Sequence, residues 1–173
     1  MNRPARQLVV MGVSGSGKTT VATLIAQRSG CERAEGDDFH SPENIARMAS
    51  GLPLDDARRA PWLAALRAWL AERAAAGRCA VLSCSALARA YRDVLRGAGP
   101  QVWIVHLDGP QELVAARLAG RHGHFMARSL LASQYAALEP LGADEPGITV
   151  DLAAPPEQIA DDVLRRLGPL RGS

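Results

Sequence analysis

The sequence predicts an α/β fold, a three-layer domain with a central parallel sheet flanked by helices. Short apolar runs alternate along the whole chain with stretches of helical spacing, the order of βαβ units joined by right-handed crossovers. A glycine-rich segment, Gly12 to Gly17, separates the first apolar run from the first helical stretch. Length agrees, because 173 residues suit a single domain over residues 1–173 with no repeat, low-complexity tract or linker. With 47% hydrophobic residues, a chain of this size buries roughly 70% of its unfolded surface.

Gln7 to Met11 (Q-L-V-V-M) reads as a strand buried on both faces. Thr20 to Arg28 follows with helical spacing, then a strand over Cys31 to Glu35 and helices over Pro42 to Ser50 and Pro61 to Ala76. Next come a strand over Cys79 to Cys84, a helix over Leu87 to Arg96 and a strand over Val102 to Leu107. Gly97-Ala98-Gly99-Pro100 is the loop between those last two. Helices over Pro110 to Gly120 and Arg128 to Leu138, a strand over Ile148 to Leu152 and a helix over Pro156 to Leu167 complete the order. Trp62 and Leu63, an apolar pair opening a helix, read as core.

Composition excludes several classes. A net charge of +2 with 22% charged residues argues against disorder and against a nucleic-acid-coating surface. No apolar run is long enough to cross a bilayer, and the polar start Met1-Asn2-Arg3-Pro4 is not a signal peptide. Cys31, Cys79 and Cys84 are odd in number with no C-x-x-C pair, so thiols acting as small buried hydrophobes in a reducing cytoplasm are expected.

Gly12 to Thr19 matches G-x-x-x-x-G-K-T in full. Glycines let the backbone wrap a phosphate chain with its N–H groups inward, and the following helix adds its positive N-terminus. The expected ATP-binding set is Gly12, Ser14, Gly15, Ser16, Gly17, Lys18, Thr19 and Thr20, with Lys18 reaching the β- and γ-phosphates and the Thr19 hydroxyl ligating Mg²⁺. A chance glycine–serine turn would not fall between a strand and a helix in this way. Lys18 is also the one lysine of the chain; every other basic residue among the 20 is arginine. A GTPase needs a lysine in its N-K-x-D loop, and none remains. Motor and helicase ATPases place an acidic residue at a neighbouring strand end, whereas Ala80-Val81-Leu82-Ser83-Cys84 ends without one. The Mg²⁺-ordering carboxylate must therefore come from elsewhere or act through water. A small-molecule or nucleotide kinase fits these features.

Glu35-Gly36-Asp37-Asp38-Phe39-His40 lies at the carboxyl end of the second strand, on the same rim as the phosphate loop. A carboxylate there can orient and deprotonate an acceptor hydroxyl. An aspartate-rich turn capping the next helix is the plainer alternative. Two adjacent aspartates cannot both face one hydroxyl without cost, so one is the base and the other its neighbour.

The phosphate loop, Gly36-Asp37-Asp38-Phe39-His40 and Met48-Ala49-Ser50-Gly51-Leu52-Pro53-Leu54-Asp55-Asp56 together resemble the gluconokinases, a family of small P-loop carbohydrate kinases. The resemblance continues through Arg59-Ala60-Pro61-Trp62-Leu63, Cys84-Ser85-Ala86-Leu87, Tyr91-Arg92-Asp93, Gly123-His124-Phe125-Met126, Gln134, Leu138-Glu139-Pro140 and Ala143-Asp144-Glu145. It implies a P-loop kinase fold with a small mobile lid near residues 117–128, in a cytoplasmic homodimer. The implied activity is ATP- and Mg²⁺-dependent phosphorylation of D-gluconate at the 6-hydroxyl, giving 6-phospho-D-gluconate and ADP for the pentose phosphate and Entner–Doudoroff routes. Carried over by position, Asp37 is the base, acting with Lys18 and Arg121. His40, Arg59, Tyr91 and Arg92 hold the sugar acid, which suits a guanidinium fork for a carboxylate and hydrogen-bonding side chains for a polyol. Arg117 and Arg121, spaced i, i+4, would face the adenine and the transferring phosphate, unless they form a solvated helix face. Plainer roles are a turn histidine for His40 and a surface pair with Asp93 or Asp108 for Arg92. His122 and His124 lack the flanking ligands of a zinc site.

Two departures stand out. The family shows a lysine after C-S-A-L; here Ala88 occupies that place, and Arg89 would have to substitute. Ser41 moves the proline one place from the usual His-Pro, so the next helix is expected to start differently. The rival readings are another small P-loop kinase, of the shikimate or adenylylsulfate type, and a nucleotide-binding regulatory protein without turnover.

Overall fold

The computed structural model describes residues 3–120 and 128–172. Five strands form one sheet: β1 (Gln7–Met11), β2 (Glu32–Glu35), β3 (Ala80–Ser83), β4 (Val102–Asp108) and β5 (Gly147–Asp151). Their order is β2-β3-β1-β4-β5 and every pairing is parallel. The helices are α1 (Lys18–Ser29), α2 (Pro42–Ala49), α3 (Asp56–Ala75), α4 (Arg89–Arg96), α5 (Gln111–Ala119), α6 (Arg128–Ala137) and α7 (Pro156–Leu167). The three-layer expectation thus holds, and every expected strand is present within a residue or two of its bounds.

Alternation along the buried strands divides the core between the two faces. Leu8, Val10, Val81, Val105 and Leu107 pack with Val21, Ile25, Val114, Leu131 and Ile159 of α1, α5, α6 and α7. Val9, Met11, Leu82 and Ile104 pack with Leu63, Leu66, Leu70 and Leu95 of α3 and α4. The central strands bury residues on both sides, which is why they read as continuous apolar runs.

Two expectations need correction. Helix α3 begins at Asp56, five residues before Pro61, because the Asp55 carboxylate accepts the Arg58 N–H at 2.8 Å and caps the helix. Pro61 then lies inside it, without an N–H to donate to the turn before. Nor are all three cysteines thiols: Cys31 and Cys79 form a disulfide across 48 residues, with Cα atoms 5.0 Å apart. They immediately precede the register partners Glu32 and Ala80 of β2 and β3, so parallel pairing sets them side by side. Cys84 remains a buried thiol. No helix among the described residues is long and apolar enough to cross a membrane.

Candidate active site

Strand β1 delivers the chain into the phosphate loop at the carboxyl rim of the sheet, where the Gly12 N–H donates to Ser85 O at 3.3 Å. A Cβ on Gly12 would lie 2.5 Å from Ser16 Oγ and 3.1 Å from the Leu107 carbonyl, so a side chain there would displace the Ser16 hydroxyl and press on the end of β4. Gly17, at φ 97°, opens α1 without a side-chain cap, leaving the first-turn donors for an anion. The Ser16 hydroxyl is buried with no partner, and Lys18 Nζ donates across the loop to Val13 O at 2.9 Å. An uncapped helix start, an orphaned hydroxyl and a lysine held over the loop together fit a polyphosphate. Burial pulls the Lys18 pKa below its ordinary value, against the opposing pull of Asp37, then Cys84 and Glu35. Thr20 sits exposed in the same first turn.

Thr19 Oγ1 donates to Glu35 Oε2 at 2.8 Å. Glu35 brings a carboxylate to this rim one strand further out than the end of β3, and was not among the residues expected here. The signal was present in sequence, an acidic residue closing a strand just before Gly36-Asp37, but its meaning depends on β2 lying at that edge of the sheet.

The acceptor side is a short 3₁₀ turn, Gly36–Phe39. A Cβ on Gly36 would lie 2.6 Å from Ser83 O, so this glycine lets the turn cross the end of β3. Asp37 is exposed, and its charge acts on both Lys18 and His40. The His40 ring stacks on Trp62 at 4.3 Å and 13°, and Trp62 Nε1 donates to Gly36 O at 2.8 Å. Trp62 is thus core, as expected, and also the wall that orients His40. His40 Nδ1 is buried without a partner. Burial lowers the His40 pKa, with Asp37 opposing and Arg59 adding to the effect, which favours the neutral ring.

Arg59 and Tyr91 come together from α3 and α4. The guanidinium carbon lies 4.8 Å from the Tyr91 ring centroid; Arg59 Nη1 donates to the Tyr91 hydroxyl, and Nη2 donates to Leu54 O at 3.1 Å. Tyr91 in turn donates to Asp56 Oδ1 at 2.9 Å. This leaves a braced cation beside a phenol, an arrangement suited to a carboxylate with hydroxyls.

Arg92 does not join them. It is fully buried, and all five of its N–H donors are engaged. Nε and Nη2 donate to the two Glu145 oxygens at 3.0 Å each, Nη1 to Ala86 O and Leu87 O at 3.0 and 3.1 Å, and Nη2 also to Pro140 O at 3.5 Å. No donor remains for a substrate. Arg92 instead holds the loop at Ala86, whose φ of 44° is strained for a residue with a Cβ. Arg89, next to the place of the absent lysine, has its guanidinium paired at the surface with both oxygens of Asp144. Ser41 caps α2 through the Asn44 N–H at 3.1 Å with Pro42 in the first turn, which is how the shifted proline is accommodated. Arg117 lies half-buried in the last turn of α5. Arg121 lies outside the described residues, as do His122, His124, Phe125 and Met126.

A family model described as an AAA domain matches residues 8–141. The chain is 50% identical to a gluconokinase of Gluconobacter oxydans over 95% of its length and 93% of that protein. Among solved structures, a sugar kinase of Janibacter sp. is 54% identical with a TM-score of 0.91, covering 96% of both chains. A gluconokinase of Sinorhizobium meliloti is 43% identical with a TM-score of 0.83, covering 95% of this chain and 94% of that one.

Proposed function

This chain belongs to the gluconokinase family of P-loop kinases, and on that premise we propose that it transfers the terminal phosphoryl group of ATP to the 6-hydroxyl of D-gluconate. The products are 6-phospho-D-gluconate and ADP. The observation that carries this reading is the 50% identity to a gluconokinase over nearly the whole chain, joined by the position of Asp37 in the turn that follows β2 at the phosphate-loop rim, where its charge acts on Lys18 and His40. An acceptor hydroxyl lying at Asp37 is then next to the phosphate that Lys18 holds.

The chemistry follows from the parts. The loop N–H groups and Lys18 hold the donor phosphates and offset the charge that develops on them. Asp37 takes the proton of the 6-hydroxyl as its oxygen attacks the γ-phosphorus, and ADP leaves. Neutral His40 and the Arg59–Tyr91 pair bind the polyol and its carboxylate, fixing which hydroxyl reaches the base. Thr19 and Glu35 are the residues that would hold Mg²⁺, which supplies charge neutralisation at the phosphates. Arg117 and Arg121 are assigned to the nucleotide by resemblance alone. A homodimer is part of the proposal, supported by that resemblance; a cytoplasmic location rests on the resemblance alone, because the Cys31–Cys79 disulfide removes the thiol argument for a reducing compartment.

The test is ADP release with Mg²⁺ and ATP over a panel of gluconate, other sugar acids, shikimate and free sugars. Turnover confined to gluconate is the expected result. ATP binding with no turnover of gluconate would overturn the acceptor assignment and leave the kinase fold in place.

A further inference from the structure

Helix α6 returns to the phosphate loop at Ser14. The Ser14 N–H donates to Gln134 Oε1 at 2.7 Å, and Gln134 Nε2 donates back to Ser14 Oγ at 3.2 Å. This two-way contact spans 120 residues of chain. It allows one orientation of the carboxamide, because exchanging its oxygen and nitrogen would set a donor against the Ser14 N–H. The platform beneath is anchored. Leu131 is buried, Tyr135 donates to Gly109 O at 3.0 Å, and just past the helix the Glu139 N–H donates to Leu87 O at 2.9 Å.

A serine hydroxyl carries one proton and accepts through its lone pairs. With Gln134 Nε2 donating to Ser14 Oγ, the Ser14 O–H is left to donate elsewhere. Lys18 Nζ, the group that reaches the β- and γ-phosphates, rests on the carbonyl of Val13, the residue before Ser14. Ser14 is thus the next residue of the loop beyond the point where Lys18 Nζ rests, whereas Thr19 and Thr20 lie in the first turn of α1.

We infer that Gln134 is a positioning residue for the phosphoryl donor: it holds Ser14 so that its hydroxyl donates to the terminal phosphate of ATP, a contact that ADP cannot make. The pair makes the loop prefer ATP to ADP, and the preference disappears once the phosphoryl group has moved. This inference rests on the nucleotide half of the proposed function and is independent of the acceptor.

The experiment is calorimetric titration, with Mg²⁺ present and no acceptor, of the β,γ-imido analogue of ATP and of ADP. Gln134→Ala is expected to weaken the analogue about tenfold, the scale of one charge-assisted hydrogen bond, and ADP by less than about twofold. Ser14→Ala should show the same selectivity, and the double variant should lose little more than either single one. Gln134→Glu keeps the size and the acceptor for the Ser14 N–H but loses the donor and sets a negative charge near the terminal phosphate. Its expected loss for the analogue is at least as large, with ADP again nearly unchanged. Equal losses for both nucleotides in the two Gln134 variants, or no loss in either, would overturn the inference. Intact selectivity together with failure to turn over gluconate would support it while sinking the acceptor assignment alone.

Discussion

Asp37 and Asp38 are adjacent in sequence and both exposed, and the charge of Asp37 acts on Lys18 and His40. Asp37→Asn should lower phosphoryl transfer at least ~100-fold while ATP still binds, as for loss of a general base. Asp38→Asn should keep most of its activity, and the pair of rates measured by ADP release decides which carboxylate is the base. His106, at 2% exposure, has both ring nitrogens buried without a partner. Burial lowers its pKa below the ordinary 6.5, opposed in part by the charge of Asp108, with Arg92 adding a smaller downward push. The unfolded chain therefore takes up a proton that the folded one refuses. The stability tied to His106 is full above its unfolded pKa and is lost as pH falls towards the folded one, at a slope of at most about 1.4 kcal/mol per pH unit. Denaturant midpoints between about pH 8 and about pH 5.5 should drop in the wild type and drop less in His106→Leu. His40, lowered in the same direction, keeps some of the dependence in that variant.

Two contacts between elements lie outside any local pattern. The disulfide ties the start of β2 to the start of β3, and β2 carries the chain to Glu35 and the acceptor turn. Cys31→Ser with Cys79→Ser, or reduction of the native protein, should cost about 2–4 kcal/mol, read as a lower denaturation midpoint. The Arg92–Glu145 pair joins α4 to the segment before β5, with both side chains fully buried. Burial raises the Glu145 pKa, but hydrogen bonds from Arg92 and the Gly142 N–H outweigh it and hold the carboxyl below its usual range. Removing one partner leaves the other charge buried, so Arg92→Met should cost about 3–5 kcal/mol by chemical denaturation. Glu145→Leu alone should cost a similar amount. The double variant, with no orphaned charge, should recover much of the loss. Nothing about Arg92 as the neighbour of Tyr91 in sequence distinguishes this role from substrate binding; on α4 one side chain faces the site and the next faces the core.

Across the whole molecule, what could be read from sequence was whatever is encoded over a few residues. The central strands announce themselves by apolar continuity and helices by their spacing, whereas β2, Glu-Arg-Ala-Glu, carries no such run. The phosphate loop is legible because one short segment holds all its glycines, its lysine and its threonine. Asp37, His40, Arg59 and Tyr91 were recognisable as a set only through resemblance, since no local rule joins an aspartate after β2 to an arginine on α3 and a tyrosine on α4. Sheet order was not legible. It is the order β2-β3-β1-β4-β5 that sets Cys31 beside Cys79 and brings Glu35 over Thr19. Helix packing likewise lays Gln134 on Ser14 and buries Arg92 against Glu145. The sequence by itself determined the α/β class, the nucleotide loop and the carboxylate at the acceptor rim, because periodicity and turn chemistry act through neighbours along the chain. The tertiary structure decided which cysteines pair, which arginine meets solvent and which is locked in the core, and what holds the phosphate loop, because those contacts join residues 16 to 120 positions apart that meet only once the sheet has assembled.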